Sequence, residues 1–367
     1  MPRSDLMRSS QQILTETRRP GRARRAVLAA AVVGLGALGA CSGSADGVSL
    51  IGTGASFPAP LYVAWTDEYT QRVDPDVRID YTAKGSSGGI KDVTEELVDF
   101  AGSDRAMSDD QLAAVADGTG RKIRMLPMTA GGVVVVYRLA EVDELRVSRD
   151  ALAGIYLGEV TRWNDPVLTA ANPGVELPDR EIFVVRRAEG SGTTYAFTNH
   201  LAAISPKWRE KYGASMSPDW PVGVGGKKND GVAALVQQTP GSIGYVELSF
   251  ARSAGLDTAR LQNAAGNYVE PSIANFQAAL ASSDLPDNMR LFLPDPAGAT
   301  AWPIVTYSWM LVYDRYPADK LEVLRSFLRF CLGEGQSYSE QLGYVPLPEN
   351  VTARVLDAVG SLAPVEG

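Results

Sequence analysis

The sequence predicts an α/β protein built as two lobes, and three observations carry that expectation. The chain has 367 residues, more than one ordinary hydrophobic core organises, so two lobes are expected. Short β-type runs alternate with helical patterns along most of its length, which is the pattern of strands with helices packed on them. Residues 132–137 read Gly-Val-Val-Val-Val-Tyr, a nearly unbroken apolar run of the kind found in a sheet covered on both faces.

Taken in order, residues 48–52 form a strand candidate that runs into a glycine turn. Residues 60–70 read as a helix, with Leu61, Trp65 and Tyr69 at helical spacing. Residues 77–81 alternate as a strand, 89–98 read as a helix, and 98–101 as a strand entering Gly102-Ser103-Asp104. After the run at 132–137, residues 182–187 predict a strand that ends in the loop 188–192, and 194–201 a helix. Residues 242–246 follow the turn Pro240-Gly241 as a late strand. Residues 304–313 are a further apolar run, and 324–332 an apolar helix. There is no internal repeat and no low-complexity stretch after residue 47. The six Trp residues (65, 163, 208, 220, 302 and 309) are scattered and read as core or hinge packing.

Composition fits a folded body: 45% hydrophobic and 21% charged, with 36 Gly and 22 Pro pointing to many turns. The net charge is −8, but residues 1–40 hold seven Arg against one Asp and one Glu, which leaves −13 on the remainder. Such an acidic body argues against binding nucleic acid. A small anion can still be held, provided that local donors oppose the global field.

The N-terminus reads as an export signal: a basic stretch to Arg25, an apolar run over 26–40, then Cys41. The run is shorter than the roughly 20 residues a membrane span needs. Leu38-Gly39-Ala40-Cys41 resembles a bacterial lipobox, which implies a cleaved segment 1–40, lipidation of Cys41 and a flexible tether over 41–47. The Arg pairs lack the residues that usually follow in a twin-arginine signal. Cys331 sits in the apolar helix pattern and reads as a buried thiol; with Cys41 acylated, no internal disulfide remains. One His (His200) and no Cys cluster give poor material for a metal site, and no cofactor is expected.

Three strand-to-helix junctions share one chemistry: Gly54-Ala55-Ser56-Phe57-Pro58, Gly85-Ser86-Ser87-Gly88-Gly89 and Arg187-Ala188-Glu189-Gly190-Ser191-Gly192-Thr193. Helix starts present free N–H groups and the positive end of the helix dipole. Gly lets backbone approach a ligand, and Ser or Thr adds hydroxyl donors. Any one junction could be an ordinary helix cap. Three together, one carrying Arg187, point to an oxyanion. Asp104 stands out, because a carboxylate repels an anion unless the anion brings a proton. Hydrogen phosphate has that proton and sulfate has none, so Asp104 would reject sulfate through an unpaired buried acceptor.

These segments resemble the phosphate-binding subunit of the high-affinity phosphate ABC transporter. The likeness runs in order through 52–60, 85–89, 98–104, 154–158, 184–193, 240–247 and 301–304, and so covers nearly all of 48–350. It implies a two-lobed fold of the periplasmic-binding-protein type II class, with a hinge and a ligand cleft between lobes. Lobe 1 would be 48–129 plus 305–367 and lobe 2 130–304, with crossings near 128–131 and 302–305. It implies phosphate held by Ser56, the backbone of Phe57, Ser86 and Asp104 on one lobe, and by Arg187, Ser191, Gly192 and Thr193 on the other. It also implies a monomeric extracytoplasmic receptor, not an enzyme, anchored to the cell membrane and docking on an ABC permease. Ser56 stands where the family often has Thr, Glu189 where Asp is common, and Lys84 where the family is often apolar.

Three other readings are weaker. Gly85-Ser86-Ser87-Gly88-Gly89 satisfies the G-x-S-x-G pattern of a serine hydrolase with Ser87 as nucleophile, but its only possible base is His200, which reads as a surface or partly buried helix residue. The stretch 223–231 has the glycines and lysines of a phosphate loop without the Walker spacing, and reads as a plain Gly-rich loop of the second lobe. A receptor for sulfate, molybdate or another tetrahedral oxyanion would use similar loops, and Asp104 is what favours phosphate.

Overall fold

A computed structural model describes residues 47–365. The expected export signal at 1–40, Cys41 and the tether up to residue 46 lie outside the described residues. The first strands are β1 (Ser49–Gly54), β2 (Arg78–Ala83), β3 (Phe100–Ser103) and β4 (Ile123–Tyr137). Helix α1 (Ala59–Arg72) joins β1 to β2, and α2 (Ser86–Thr94) joins β2 to β3. The main sheet runs in the order β2, β1, β3, Val305–Tyr313, β4, Ser242–Glu247, Phe183–Arg187, Val224–Gly226.

The two halves of this sheet share β4. It pairs antiparallel with Val305–Tyr313 as far as Gly132, then with Ser242–Glu247 from Val133 onward. At 15 residues, β4 is much longer than the six-residue run read from sequence. The extra length, 123–131, is interrupted by Arg124, Pro127 and Thr129, so its apolar residues form neither an unbroken run nor a regular alternation. Pro127 is accommodated opposite a register shift between Ser308 and Trp309, the kind of irregularity where a strand tolerates a missing donor.

Helix α2 also differs from expectation. It starts at Ser86, with Gly88 and Gly89 inside its first turn, and ends at Thr94. Close packing explains the glycines: a Cβ at Gly89 would lie 2.6 Å from Gly54 Cα and 2.9 Å from Gly102 O. Gly89 thus lets α2 lie directly on β1 and β3, while a Cβ at Gly88 would meet the Lys84 side chain, 3.0 Å from its Cβ, and Ser86 sits at the helix start. At Gly85 the backbone has φ 88°, which only glycine adopts without strain.

Five of the six Trp side chains are fully buried, and Trp220 packs half-buried on the core. In the first half Tyr69 meets Phe327 at 5.4 Å, within the helix Ala318–Leu332 that also buries the free thiol of Cys331. In the second half Phe197 stacks on Tyr245 at 4.2 Å with the rings nearly parallel. Trp302 lies where the halves meet: its Nε1 donates to Val133 O at 3.0 Å, and its ring packs edge-on against Phe276.

Trp302→Ala should lower stability by about 3–5 kcal/mol, since it leaves both a cavity and an orphaned carbonyl. Urea denaturation checks this, and an unchanged midpoint would show that the junction does not depend on this ring.

Candidate functional site

In parallel sheets, sites form outside the carboxyl ends of the strands, where the following helices begin. Strand β1 leads into α1 and β2 into α2; Phe183–Arg187 leads into the helix Gly192–Ile204, and Val224–Gly226 into the helix Lys228–Gln238. These four helix starts approach one another across the two halves.

Ser86 is the point of closest approach. Its Oγ accepts from Asp104 N at 3.2 Å on its own side and from Gly192 N at 3.0 Å on the other. Next to it, Ser56 Oγ accepts from Asn229 N at 3.3 Å and Nδ2 at 3.0 Å. Ser87 N donates to Gly190 O at 3.2 Å, so α2 bonds directly to the loop before Gly192–Ile204. The absence of a side chain at Gly192 is required: a Cβ there would be 2.6 Å from both Ser86 Oγ and Asp104 Cβ.

Arg187 is 2% exposed at the end of its strand. Its Nε donates to Glu189 Oε1 at 3.0 Å, and Nη2 donates to the same oxygen. Its Nη1 donates to Thr193 Oγ1 at 3.3 Å. Glu189 thus fixes one edge of the guanidinium and turns Nη1 to the helix start. Ser191 caps that helix, accepting from Thr194 N at 3.2 Å, which leaves its own proton free to donate. Phe57 is fully buried, and its carbonyl accepts from Tyr344 OH at 2.6 Å.

Asp104 is the electrostatic oddity. Its Oδ1 accepts from Ser308 Oγ at 2.9 Å, and Ser86 Oγ lies 3.4 Å from Oδ2. Burial pushes its carboxyl up to about 7, against the pull of Ser308, Arg187, Ser86 and the backbone of Thr193. Desolvation outweighs four favourable partners, so this carboxyl holds or shares a proton near neutrality.

All eight residues named from sequence (Ser56, Phe57, Ser86, Asp104, Arg187, Ser191, Gly192 and Thr193) are buried. Hydrogen bonds join Ser86, Asp104 and Gly192 in one group and, by way of Asn229, join Ser56 to Thr193 and Arg187 in another, while Ser191 caps the helix start and Phe57 is held by Tyr344. Two members were missed. Asn229 is fully buried and reaches Ser56 and, at 3.5 Å, Thr193 Oγ1. It lies in the 223–231 stretch that read as a plain loop; the Lys-Lys-Asn-Asp run after its glycines was the available signal. Ser308 sits in the apolar run 304–313, where a lone hydroxyl among large apolar residues was the hint. Lys84 pairs with Asp92 at 2.8 Å, and Asp92 also accepts from Thr53 Oγ1, so its charge is taken up locally.

His200 corrects the expectation of an exposed or partly buried side chain: it is 1% exposed, and its Nδ1 lies 2.7 Å from Pro294 O. Burial drives its pKa down to about 4. Ser87 Oγ instead faces Met216 Sδ at 3.7 Å, so the hydrolase reading loses its base.

The PBP superfamily domain matches residues 40–334 of the chain. The phosphate-binding protein PstS of Xylella fastidiosa (strain Temecula1) is 38% identical over 313 residues, 84% of each chain. That of Pasteurella multocida is 37% identical over 314 residues, 84% of this chain and 88% of its own. Among solved structures, a high affinity periplasmic phosphate-binding protein bound with phosphate superposes with TM-score 0.71 at 21% identity, covering 84% of this chain and 93% of its own. At that identity the superposition speaks for the fold alone.

The raised Asp104 carboxyl predicts a pH dependence. The unfolded group ionises near its ordinary value of 3.8, and the folded one only near 7. Stability from this group is therefore full below about pH 4, is lost as pH rises to 7, and amounts to at most about 4 kcal/mol. Thermal melts from pH 5 to 8.5 should show the wild-type chain losing stability faster than Asp104→Asn. Parallel curves would contradict the shift.

Proposed function

The chain belongs to the phosphate-binding protein PstS family, and on that premise we propose that it captures inorganic phosphate between its two halves and delivers it to an ABC importer. The observation that carries this reading is a fully buried carboxyl, Asp104, set among hydroxyl and N–H donors from both halves. Donors alone would suit any oxyanion. A buried proton acceptor among them suits an anion that arrives with a proton.

In this reading the hydroxyls of Ser56, Ser86, Ser191 and Thr193 and the N–H groups of Phe57 and Gly192 donate to phosphate oxygens. Arg187 supplies one cation, half offset by Glu189. Charge is thus opposed mostly by fixed dipoles, which suits a site that must also release its ligand. Asp104 accepts the phosphate proton. Sulfate lacks one and would need Asp104 itself protonated, so weak sulfate binding should strengthen as pH falls below about 7.

The lobes would be 48–129 with 305–367, and 130–304, hinging where β4 changes partners and where Trp302 packs. Ligand contacting both lobes would favour the closed form. The receptor would act as a monomer outside the cytoplasm, held to the membrane through lipidated Cys41. It would serve as a carrier and not as an enzyme.

Calorimetric titration at pH 8 should show phosphate and arsenate binding and sulfate failing to bind. Tight sulfate binding, or no phosphate binding, would overturn the proposal. Asp104→Asn should relax the discrimination against sulfate. Gly192→Ala should weaken phosphate by about 100-fold or more, because a Cβ there holds the halves apart, while leaving the ligand-free melting temperature near wild type. Wild-type affinity in Gly192→Ala would show that this approach is not part of the bound state.

A further inference from the structure

A second buried carboxyl lies close by. Glu247 ends the strand Ser242–Glu247 and is fully buried. Its backbone N donates to Asn229 Oδ1 at 3.2 Å, and Asn229 donates in turn to Ser56 Oγ. On the carboxyl, Oε2 accepts from Ser249 N at 2.9 Å and from Ser249 Oγ. Ser249 Oγ lies 3.2 Å from Tyr344 OH, which donates to Phe57 O at 2.6 Å. Two routes therefore leave Glu247: its backbone N–H leads through Asn229 to Ser56, and its carboxyl leads past Ser249 and Tyr344 to Phe57. With the carboxyl ionised, Ser249 Oγ donates to Oε2 and Tyr344 OH to Phe57 O, and the 3.2 Å contact between the two hydroxyls has no proton; a proton on Oε2 lets Ser249 Oγ donate to Tyr344 and completes the route. Both routes cross between the halves: Glu247, Ser249 and Asn229 stand on one side, and Tyr344, Phe57 and Ser56 on the other.

The remaining oxygen, Oε1, is buried and has no hydrogen-bond partner among the described residues. A charged oxygen left in that state would cost several kcal/mol, whereas the oxygen of a neutral carboxyl costs less. Burial pushes the carboxyl up to about 8, opposed by Ser249, Tyr344 and the more distant Arg252 on the helix Leu248–Ser253. The negative charge of Asp104 also reaches Tyr344, next in the cluster. Parting the halves removes Tyr344 from this cluster and admits water, and a hydrated carboxyl ionises readily.

We propose that Glu247 is a positioning residue of the phosphate site: carrying a proton, its carboxyl clasps the two halves through Ser249 and Tyr344 and sets Phe57 in place, beside the Asn229–Ser56 contact that its backbone N–H orients, and once ionised it favours the open form. This rests on the phosphate reading given above. Closure then takes up a proton at Glu247 whenever the open form has lost it, and phosphate affinity falls at high pH for a reason that lies in neither the ligand nor Asp104.

The test measures phosphate affinity of the full chain and of Glu247→Gln at a series of pH values from 7 to 9.5. Taking the ratio at each pH cancels the titration of phosphate and of Asp104. The ratio of wild-type to Glu247→Gln affinity should fall by about tenfold across that range, because the amide cannot ionise. A constant ratio, whatever its size, would show a merely structural role and overturn the inference while leaving the phosphate reading intact. Tyr344→Phe provides a second measurement that does not depend on recovering folded Glu247→Gln. Removing the hydroxyl that holds Phe57 O should weaken phosphate at pH 7 by about tenfold, and wild-type affinity would overturn the clasp. Failure of the unaltered chain to bind phosphate at any pH would instead bring down the phosphate reading itself.

Discussion

Ser86 Oγ receives an N–H from each half of the molecule, from Asp104 beside it and from Gly192 across the cleft. That contact is possible only because each backbone involved can come close. Gly89 lets α2 lie on β1 and β3, which brings Ser86 to the end of the sheet, and Gly192 lets the second half approach without a Cβ striking Asp104. The rest of the site follows from this approach. Once the helix starts meet, Ser56 is bonded to Asn229 and Asp104 is cut off from water, while Arg187 is held to Thr193 within its own half.

Isolation from water is what gives Asp104 its meaning. At a surface it would be an ordinary carboxylate and would simply repel anions. Buried, with Ser308 and Ser86 as partners, it sits near the point where it can hold or release a proton at neutral pH. The chain carries a net charge of −8 and uses a single Arg, itself tied to Glu189, at the cluster. Fixed dipoles therefore dominate over counter-charge. In the proposed reading, fixed dipoles would supply attraction without distinguishing one tetrahedral oxyanion from another, and the distinction would fall to the carboxyl.

Much of this was legible in the sequence, for local reasons. A junction such as 187–193 writes its chemistry in consecutive residues, so its donors could be named directly. Strands 49–54, 242–247 and 305–313 could be placed because burial imposes apolar runs on them. What escaped was set by tertiary contact. Gly88 and Gly89 look like helix breakers, and only the nearness of Gly54 and Gly102 shows why Gly89 sits inside α2. The first half of β4 is buried with its apolar residues broken up by Arg124, Pro127 and Thr129, so neither strand signature shows in its sequence. Asn229 acts from a stretch whose glycines suggested a plain loop, and Ser308 from an apolar strand. Neither position has meaning until Ser56 and Asp104 arrive from more than a hundred residues away.

The central claim is that a proton carried by phosphate meets Asp104. Neutron diffraction from crystals of the phosphate complex at neutral pH observes that proton directly. The account predicts density for one hydrogen between a phosphate oxygen and an Asp104 carboxylate oxygen, about 2.5–2.7 Å apart, with the donors of both halves on the remaining oxygens. A complex in which Asp104 faces no phosphate oxygen, or in which the hydrogen between them is absent, would contradict it.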